Sequence, residues 1–365
     1  MFSHRHYVPV LKWKQGEYQA LYRLTSTVKD NLTPLIEIPA VGFDFETETA
    51  RETIDDHLGD FGRRLRAKWH NRPCFVDAKY IDSTTLMADG RHFIETIFGH
   101  ARNERCRAIP VIGLSNDPQS LAATAFVVRA DHRGVALRLT LPDFDRPGLA
   151  VDIGRILTAI GIGHADTDLI IDVGAPNFLP ISAFVRMMQA LIGMIPALNR
   201  WRTFTIVGTS YPTTVAELAT PFDVIPRQEW IAYQTLVTQL GSANRIPTFG
   251  DYAVAHPAPV ELDMRIIKPF AKLRYTFDNH WHIGKGTPVR THGFTQYQRL
   301  CRELMAQRYF DGHGNSAGDD YIVSCAAGTV STGNLTTWAW VSTNRHLTKM
   351  VNDLAIFHGL SETGE

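Results

Sequence analysis

The sequence predicts an α/β fold, a (β/α)8 TIM-like barrel over residues 1–257 with a C-terminal α+β appendage over 258–365 that packs on it. Three observations predict it. Short apolar runs recur at Tyr7–Trp13, Thr33–Pro39, Cys74–Tyr80, Ala108–Leu114, Gly134–Leu141, Asp168–Val173, Phe204–Ser210 and Ile246–Ala255. Parallel strands covered by helices read as such unbroken apolar runs. Most gaps between the runs hold a helix-like segment, and eight strand–helix units closing on themselves make this barrel. After Pro257 the rhythm changes to a hairpin and then helices.

The length of 365 residues allows a barrel of ~250 residues and roughly a hundred more. Net charge is zero, from 37 basic and 37 acidic residues, which lacks the strongly basic balance of a general nucleic-acid binder. Cys74, Cys106, Cys301 and Cys325 form no C-x-x-C and are expected to be reduced core residues. The stretch Met1–His6 lacks the apolar core of a signal peptide, and no apolar run approaches the ~18 residues of a membrane span. The expectation is a cytoplasmic protein with no membrane contact.

The first strand, Tyr7–Trp13, carries Lys12, with Lys14 just beyond it on the same side, and a helix follows to about Val28. The second holds a single carboxylate, Glu37, in an apolar run. An unpaired carboxylate cannot be buried cheaply, so Glu37 must meet water or a cation, and Lys12 or Lys14 is the partner expected. The acidic stretch Asp44–Asp56 and the arginine-rich helix after it, to Lys68, read as solvated surface. The third strand places Asp77 and Lys79 on one side and Tyr80 on the other. The fourth ends without a charge, and Ser115-Asn116-Asp117-Pro118 caps the next helix.

The fifth strand contains Arg138, whose guanidinium cannot be neutralised and must find carboxylates or an anion. The sixth places Asp172 similarly. Glu37, Asp77, Arg138 and Asp172 are therefore expected to converge at one barrel end. The seventh ends at Gly208-Thr209-Ser210, which departs from the G-x-S-x-G nucleophile elbow because Pro212 replaces the second glycine. Pro226–Trp230 opens a helix with Trp230 buried. The eighth contributes Asp251 and Tyr252.

Beyond Pro257, Lys272–Phe277 and His280–Gly286 read as a hairpin turning at Asp278-Asn279. A helix from Phe294 to Tyr309 presents Tyr297, Leu300, Cys301 and Leu304 on one stripe. The turn-rich segment Phe310–Tyr321 holds Ser316 and Asp319, read as caps of the next segment ahead of a ligand role. A segment Thr336–His346 then leads into a last helix to Phe357.

Tyr-Val-Pro-Val-Leu-Lys-Trp-Lys near the start, Pro-Leu-Ile-Glu-Ile, Gly250-Asp251-Tyr252, Arg274-Tyr275, Phe310-Asp311-Gly312 to Ser316-Ala317-Gly318-Asp319, Trp338 and Asn344-Arg345-His346 resemble the beta family proteins. The resemblance covers nearly the whole chain. It implies occurrence in bacteria or phages and a role in phage–host conflict, as anti-phage defence or as a prophage gene, and it implies little chemistry. The family pattern places two histidines where this chain has Arg345-His346, a departure that argues against a metal or proton-transfer role for that pair.

Two function classes stay open. As an enzyme, a hydrolase acting on a phosphodiester or other anion at the barrel mouth, the chain would use Glu37, Asp77, Lys79, Asp172 and Asp251 catalytically. Lys12, Lys14, Arg138, Tyr252 and Arg274 would bind the substrate. As a binding module it would hold a protein partner or, less favoured, nucleic acid through Arg274, Tyr275, Trp281, Lys285 and Arg290. No cofactor is expected. A metal site is a third, less favoured reading, at His280-x-His282 with its third ligand unspecified, or at His313 with Asp311 and Asp319 in a loop whose glycines fall at the wrong offsets for an EF-hand. Nucleotide-loop motifs are absent, since Gly161-Ile162-Gly163 has no third glycine.

Overall fold

The computed structural model describes residues 2–44, 46–215, 218, 221–241, 244–258 and 269–359. The apolar runs form a closed parallel barrel of β1 (Tyr7–Lys12), β2 (Leu35–Glu37), β3 (Pro73–Asp77), β4 (Arg107–Ile112), β5 (Val135–Thr140), β6 (Thr167–Asp172), β7 (Thr203–Val207) and β8 (Thr248–Asp251). Each strand pairs with its neighbours in sequence, and β8 closes on β1 with Tyr7 opposite Phe249. By contacts the described chain falls into two compact units. The first holds residues 1–13, 32–208 and 232–251; the second holds 14–31, 209–231 and 252–365.

In the first unit, period and caps explain the helices. Helix Leu149–Ile160 buries Leu149, Ile153, Ile156, Leu157 and Ile160, the 3–4 spacing of one helical face, and ends on Gly161 in the left-handed region at φ 78°. Helix Pro118–Asp131 starts with Asp117 accepting from Gln119 and Ser120 N–H and Pro118 in the first turn, as the sequence predicts. Leu169, Ile170 and Ile171 of β6 are fully buried, each stabilising by about 1.5–3 kcal/mol. All four cysteines are free and buried. Among the described residues no helix is long and apolar enough to cross a membrane.

In the second unit the predicted hairpin is present as Phe270–Phe277 and His280–Pro288, turning at Asp278. A third strand that the sequence reading missed, Phe222–Pro226, pairs antiparallel with His280–Pro288. Helix Gln296–Met305 buries Tyr297, Leu300, Cys301 and Leu304 as expected. The helix expected through Val28 breaks into Gln15–Tyr22 and Ser26–Asp30, because Thr25 stops the first and caps the second. The segment read as leading into a last helix is itself helical: Leu335–Phe357 is continuous from an Asn334–Thr337 capping box. It packs on Gln15–Tyr22, where an added Cβ on Gly16 would stand 2.5 Å from Ala339 Cβ. Trp230 is buried, with its ring edge-on to Phe357.

Two expectations follow. Gly250 lies between β1 and β7, and a Cβ there would meet Val8 O at 2.6 Å and Val207 Cγ2 at 2.7 Å. Gly250→Ala should therefore cost about 1–3 kcal/mol in urea unfolding, and an unchanged midpoint would mean that the strands part freely. In the second unit His282 is buried, stacked on Phe222 and bonded to Tyr309 Oη at 2.9 Å. Burial pushes its pKa down to about 4. The unfolded chain takes up that proton near pH 6.5 and the folded chain near 4, so stability is full above 6.5 and falls as pH drops through that window. The loss is about 3 kcal/mol. Wild type should lose more melting temperature between pH 7 and 4.5 than His282→Gln; parallel profiles would show that another group governs the acid limb.

Candidate functional site

Four strands of the first unit deliver charge to one point at their carboxyl ends. Glu37 ends β2, Asp77 ends β3, Asp172 ends β6, and Arg138 lies two residues before the end of β5. Arg138 Nη1 lies 2.9 Å from Glu37 Oε1 and 2.6 Å from Asp77 Oδ2. Its Nη2 and Nε donate to Asp172 Oδ2 at 2.5 and 2.9 Å. Lys79 adds a second cation, 2.7 Å from Glu37 Oε1. Tyr80, on the opposite side of the strand in the sequence reading, also reaches Glu37: its hydroxyl donates to Oε2 at 3.3 Å. Burial and the Glu37 charge hold the Tyr80 phenol well above its ordinary pKa.

Backbone amides complete the network. Asp77 Oδ1 accepts from Lys79 N–H at 2.9 Å, and Asp172 Oδ1 from Gly174 N–H at 2.9 Å. All four residues are at most 5% exposed. Convergence follows from the registers: Glu37 lies opposite Asp77, and Thr140, two residues past Arg138 on the same side, lies opposite Asp172.

The remaining predicted residues are distributed more widely. Lys12 lies opposite Glu37 on β1 and is half-buried. Asp251, fully buried at the end of β8, accepts from the Tyr7 hydroxyl at 2.5 Å. Lys14, Tyr252 and Arg274 belong to the second unit. Lys14 is exposed and precedes helix Gln15–Tyr22. The cations that meet Glu37 include Lys79, two residues past the end of β3, and Arg138 of β5, whereas the sequence points to Lys12 or Lys14.

Beside this cluster, at the carboxyl ends of β3, β4 and β5, a cavity of about 480 Å³ opens. Asp77, Lys79 and Arg138 form its charged side, with Ser115, Asn116, Thr140 and Asp143 around it and Phe93, Ile94, Phe98 and Ile112 as an apolar wall. Thr124, only 1% exposed, also lines it, and its hydroxyl has no hydrogen-bond partner among the described residues. Burial works against ionisation of Asp117 at the rim, but hydrogen bonds from Ser120, Gln119 and Ser83 hold its carboxyl at about 2. Sequence reasoning missed the lining residues after β4 and β5. Ser115-Asn116-Asp117 reads as a helix cap, which Asp117 also is.

In the second unit the family loop carries a helix cap. Ser316 caps helix Ala317–Ala327, accepting from Asp319 N–H at 3.1 Å and donating to Asp319 Oδ2 at 2.6 Å. Arg345 lies 2.5 Å from Asp311 Oδ2 and 3.4 Å from Asp319 Oδ2, donates to Thr276 O, and stacks over Tyr275. Burial holds the Asp319 carboxyl above its usual range, opposed by Arg345. Ser210, at the mock nucleophile elbow, donates to Glu229 Oε2 at 2.6 Å and accepts from Gln228 N–H, so it belongs to a helix start. Tyr275 and Trp281 are fully buried, so neither ring is available to stack on a base. Among the described residues no group of three His, Cys, Asp or Glu side chains is placed to hold a metal ion.

Solved structures similar to this chain are barrels of low identity. Triosephosphate isomerase from Bartonella henselae aligns with TM-score 0.34 and 9% identity over 68% of this chain and 93% of its own. A mutant tryptophan synthase alpha-subunit from Pyrococcus furiosus aligns with TM-score 0.28 and 12% identity over 58% and 90%. No curated protein matches. The family model described as Beta protein matches residues 7–352, and the chain belongs to that family.

Proposed function

We propose that the cavity at the carboxyl ends of β3, β4 and β5 is the working site, and that it takes a small polar molecule through Asp77 and Lys79. The observation that carries this reading is the juxtaposition of that cavity with a buried, hydrogen-bonded ion cluster at the barrel face where such folds carry their chemistry. Arg138 acts as a positioning residue, holding Asp77 while its own charge is matched.

Charge decides what kind of ligand fits. The lining holds Asp77, Asp82, Asp117 and Asp143 against Lys79 and Arg138. Arg138 already meets three carboxylates and Lys79 one, so neither cation is unmatched toward an anionic group. A phosphodiester substrate, the reading from sequence, would face more carboxylate than cation. A ligand rich in hydroxyl or amine donors, with its apolar part against Phe93 and Phe98, fits better. Such a ligand meets carboxylates able to accept hydrogen bonds and, if chemistry follows, to take up a proton. For the biological setting we carry forward phage–host conflict, which the family resemblance implies.

Two variants separate a site from a purely structural network. The five charges Glu37, Asp77, Asp172, Lys79 and Arg138 sum to −1. Asp77→Asn brings the sum to zero but keeps only one of the two accepting oxygens, so it should cost about 1–3 kcal/mol. Arg138→Met leaves three carboxylates facing a single lysine and should cost about 3–5 kcal/mol. Gentle purification with native mass spectrometry should show a small molecule on wild type and its loss from Asp77→Asn, together with loss of any effect on phage plating. A stable Asp77→Asn protein that keeps both would reduce the cluster to a structural tie.

A further inference from the structure

Charge in the barrel cavity is matched except at its rim. Of the charged groups that line it, Asp77 meets Arg138, Lys79 meets Glu37, and Asp143 lies 3.3 Å from Arg146. Asp82, in the loop after β3, and Asp117, in the loop after β4, also line it, and among the described residues no cation forms an ion pair with either. Their hydrogen bonds come from neutral groups. Asp82 Oδ1 accepts from the Thr84 amide at 2.8 Å and from its hydroxyl at 2.6 Å. Asp117 accepts from the amides of Gln119 and Ser120 at 2.8 and 3.1 Å and from the Ser120 hydroxyl at 2.7 Å. The Thr84 bonds hold the Asp82 carboxyl below its usual range, and Asp117 titrates at about 2, so both are charged at neutral pH. The two lie close enough that the Asp117 charge opposes ionisation of Asp82.

Burial increases along the same lining: Asp82 is exposed, Asp117 half-buried, and Thr124 1% exposed. Asp117 caps helix Pro118–Asp131, and Thr124 follows seven residues later, two turns or about 10 Å along the same helix face. Ser120 lies between them on that face and lines the cavity too. The Thr124 hydroxyl has no hydrogen-bond partner among the described residues. Two like charges without a cation at the open end and an unpartnered hydroxyl at the buried end are separate observations, and one ligand answers both.

We propose that the cavity binds a primary amine. Its ammonium group sits between Asp82 and Asp117, its apolar arm runs along Ile94 and Phe98, and a polar atom about 10 Å from the nitrogen pairs with the Thr124 hydroxyl. This assignment rests on the reading of the cavity as the working site and names the class of molecule it takes. An ammonium offers three donors to the two carboxylates, whereas an anion would meet two charges of its own sign at the entrance. A metal ion fits less well, since among the described residues no group of three His, Cys, Asp or Glu side chains is placed to hold one.

The test titrates the full chain with 6-aminohexanol, with hexanol and 6-hydroxyhexanoate as its neutral and anionic counterparts and magnesium chloride as the metal control, all at matched ionic strength. The amine should bind in calorimetry and raise the melting temperature more than any of the three controls. Asp117→Asn, which still caps the helix, should weaken amine binding by about tenfold, and exposed Asp82→Asn by about threefold, each the loss of one charge-assisted contact. Thr124→Val should weaken it by about threefold and, without ligand, should melt no lower than wild type, because the hydroxyl it removes is unpartnered. A lower melting temperature for Thr124→Val without ligand would overturn the buried end of the site. Hexanol or the acid binding as tightly as the amine would overturn the amine class, as would amine binding unchanged in both aspartate variants. A magnesium response larger than the amine's and lost in those variants would replace the amine with a metal ion. A co-purified molecule that is lost from Asp77→Asn but carries no amine would overturn this class and keep the cavity as the working site; no co-purified molecule and no amine response would overturn both.

Discussion

A guanidinium cannot shed its charge under any condition in which a protein folds, and Arg138 places one inside a barrel strand at 5% exposure. The constraint reaches well beyond one side chain. Carboxylates from β2, β3 and β6 must arrive within hydrogen-bond distance of the same group. A slip of one residue in any of these strands would turn its acid outward, and a slip of two would carry it about 6–7 Å along the strand. The contacts span 2.5–2.9 Å, so neither slip is tolerated. Apolar burial drives the strands together, but the aliphatic side chains of β5 and β6 would pack nearly as well in a shifted register. The ion cluster therefore supplies specificity that the apolar core lacks.

The second unit meets the same problem at Arg345 and solves it with different elements. Its acids come from a loop and from the first turn of a helix, and two donors go to the backbone oxygen of Thr276. Tyr275 stacks beneath the guanidinium and gives its hydroxyl to Asp311 N–H as acceptor. Gly318 completes the arrangement, since a Cβ there would stand 2.5 Å from Val341 O on the facing helix. Tyr275, Asp311 and Asp319 of the family motifs thus converge on one buried cation, and that cation ties helix Ala317–Ala327 and the sheet to helix Leu335–Phe357.

The fold was legible because a parallel strand buried on both sides leaves a signal that needs no partner to interpret: an apolar run of fixed length with a charge at one end. The convergence of Glu37, Asp77, Arg138 and Asp172 was legible for the same reason. Where a segment's identity depends on what it meets, the sequence was silent. Phe222–Pro226 has an exposed, irregular pattern bounded by prolines and becomes a strand only by pairing with His280–Pro288. Lys14–Asn31 and Thr209–Ile231 join the unit that holds residues 252–365, an association no single cut at 257 can express. The cavity was hidden because its polar lining comes from loop residues, such as Asp117, that already have a local reason to be there.

Burial and charge alone therefore do not separate structure from function in this chain; what separates them is whether the fold completes the partnership. Arg138 and Arg345 are enclosed by acids that are themselves bonded to backbone amides or hydroxyls, and removing the ligand from such a network would change nothing within it. Thr124 in the barrel cavity keeps a buried hydroxyl without a hydrogen-bond partner among the described residues. A buried donor left unmatched costs about 1–3 kcal/mol. Folding alone supplies no return for that cost, whereas a bound molecule does. Thr124 is one of several such atoms, and the one that lies in a cavity large enough to hold a ligand is where a ligand is expected.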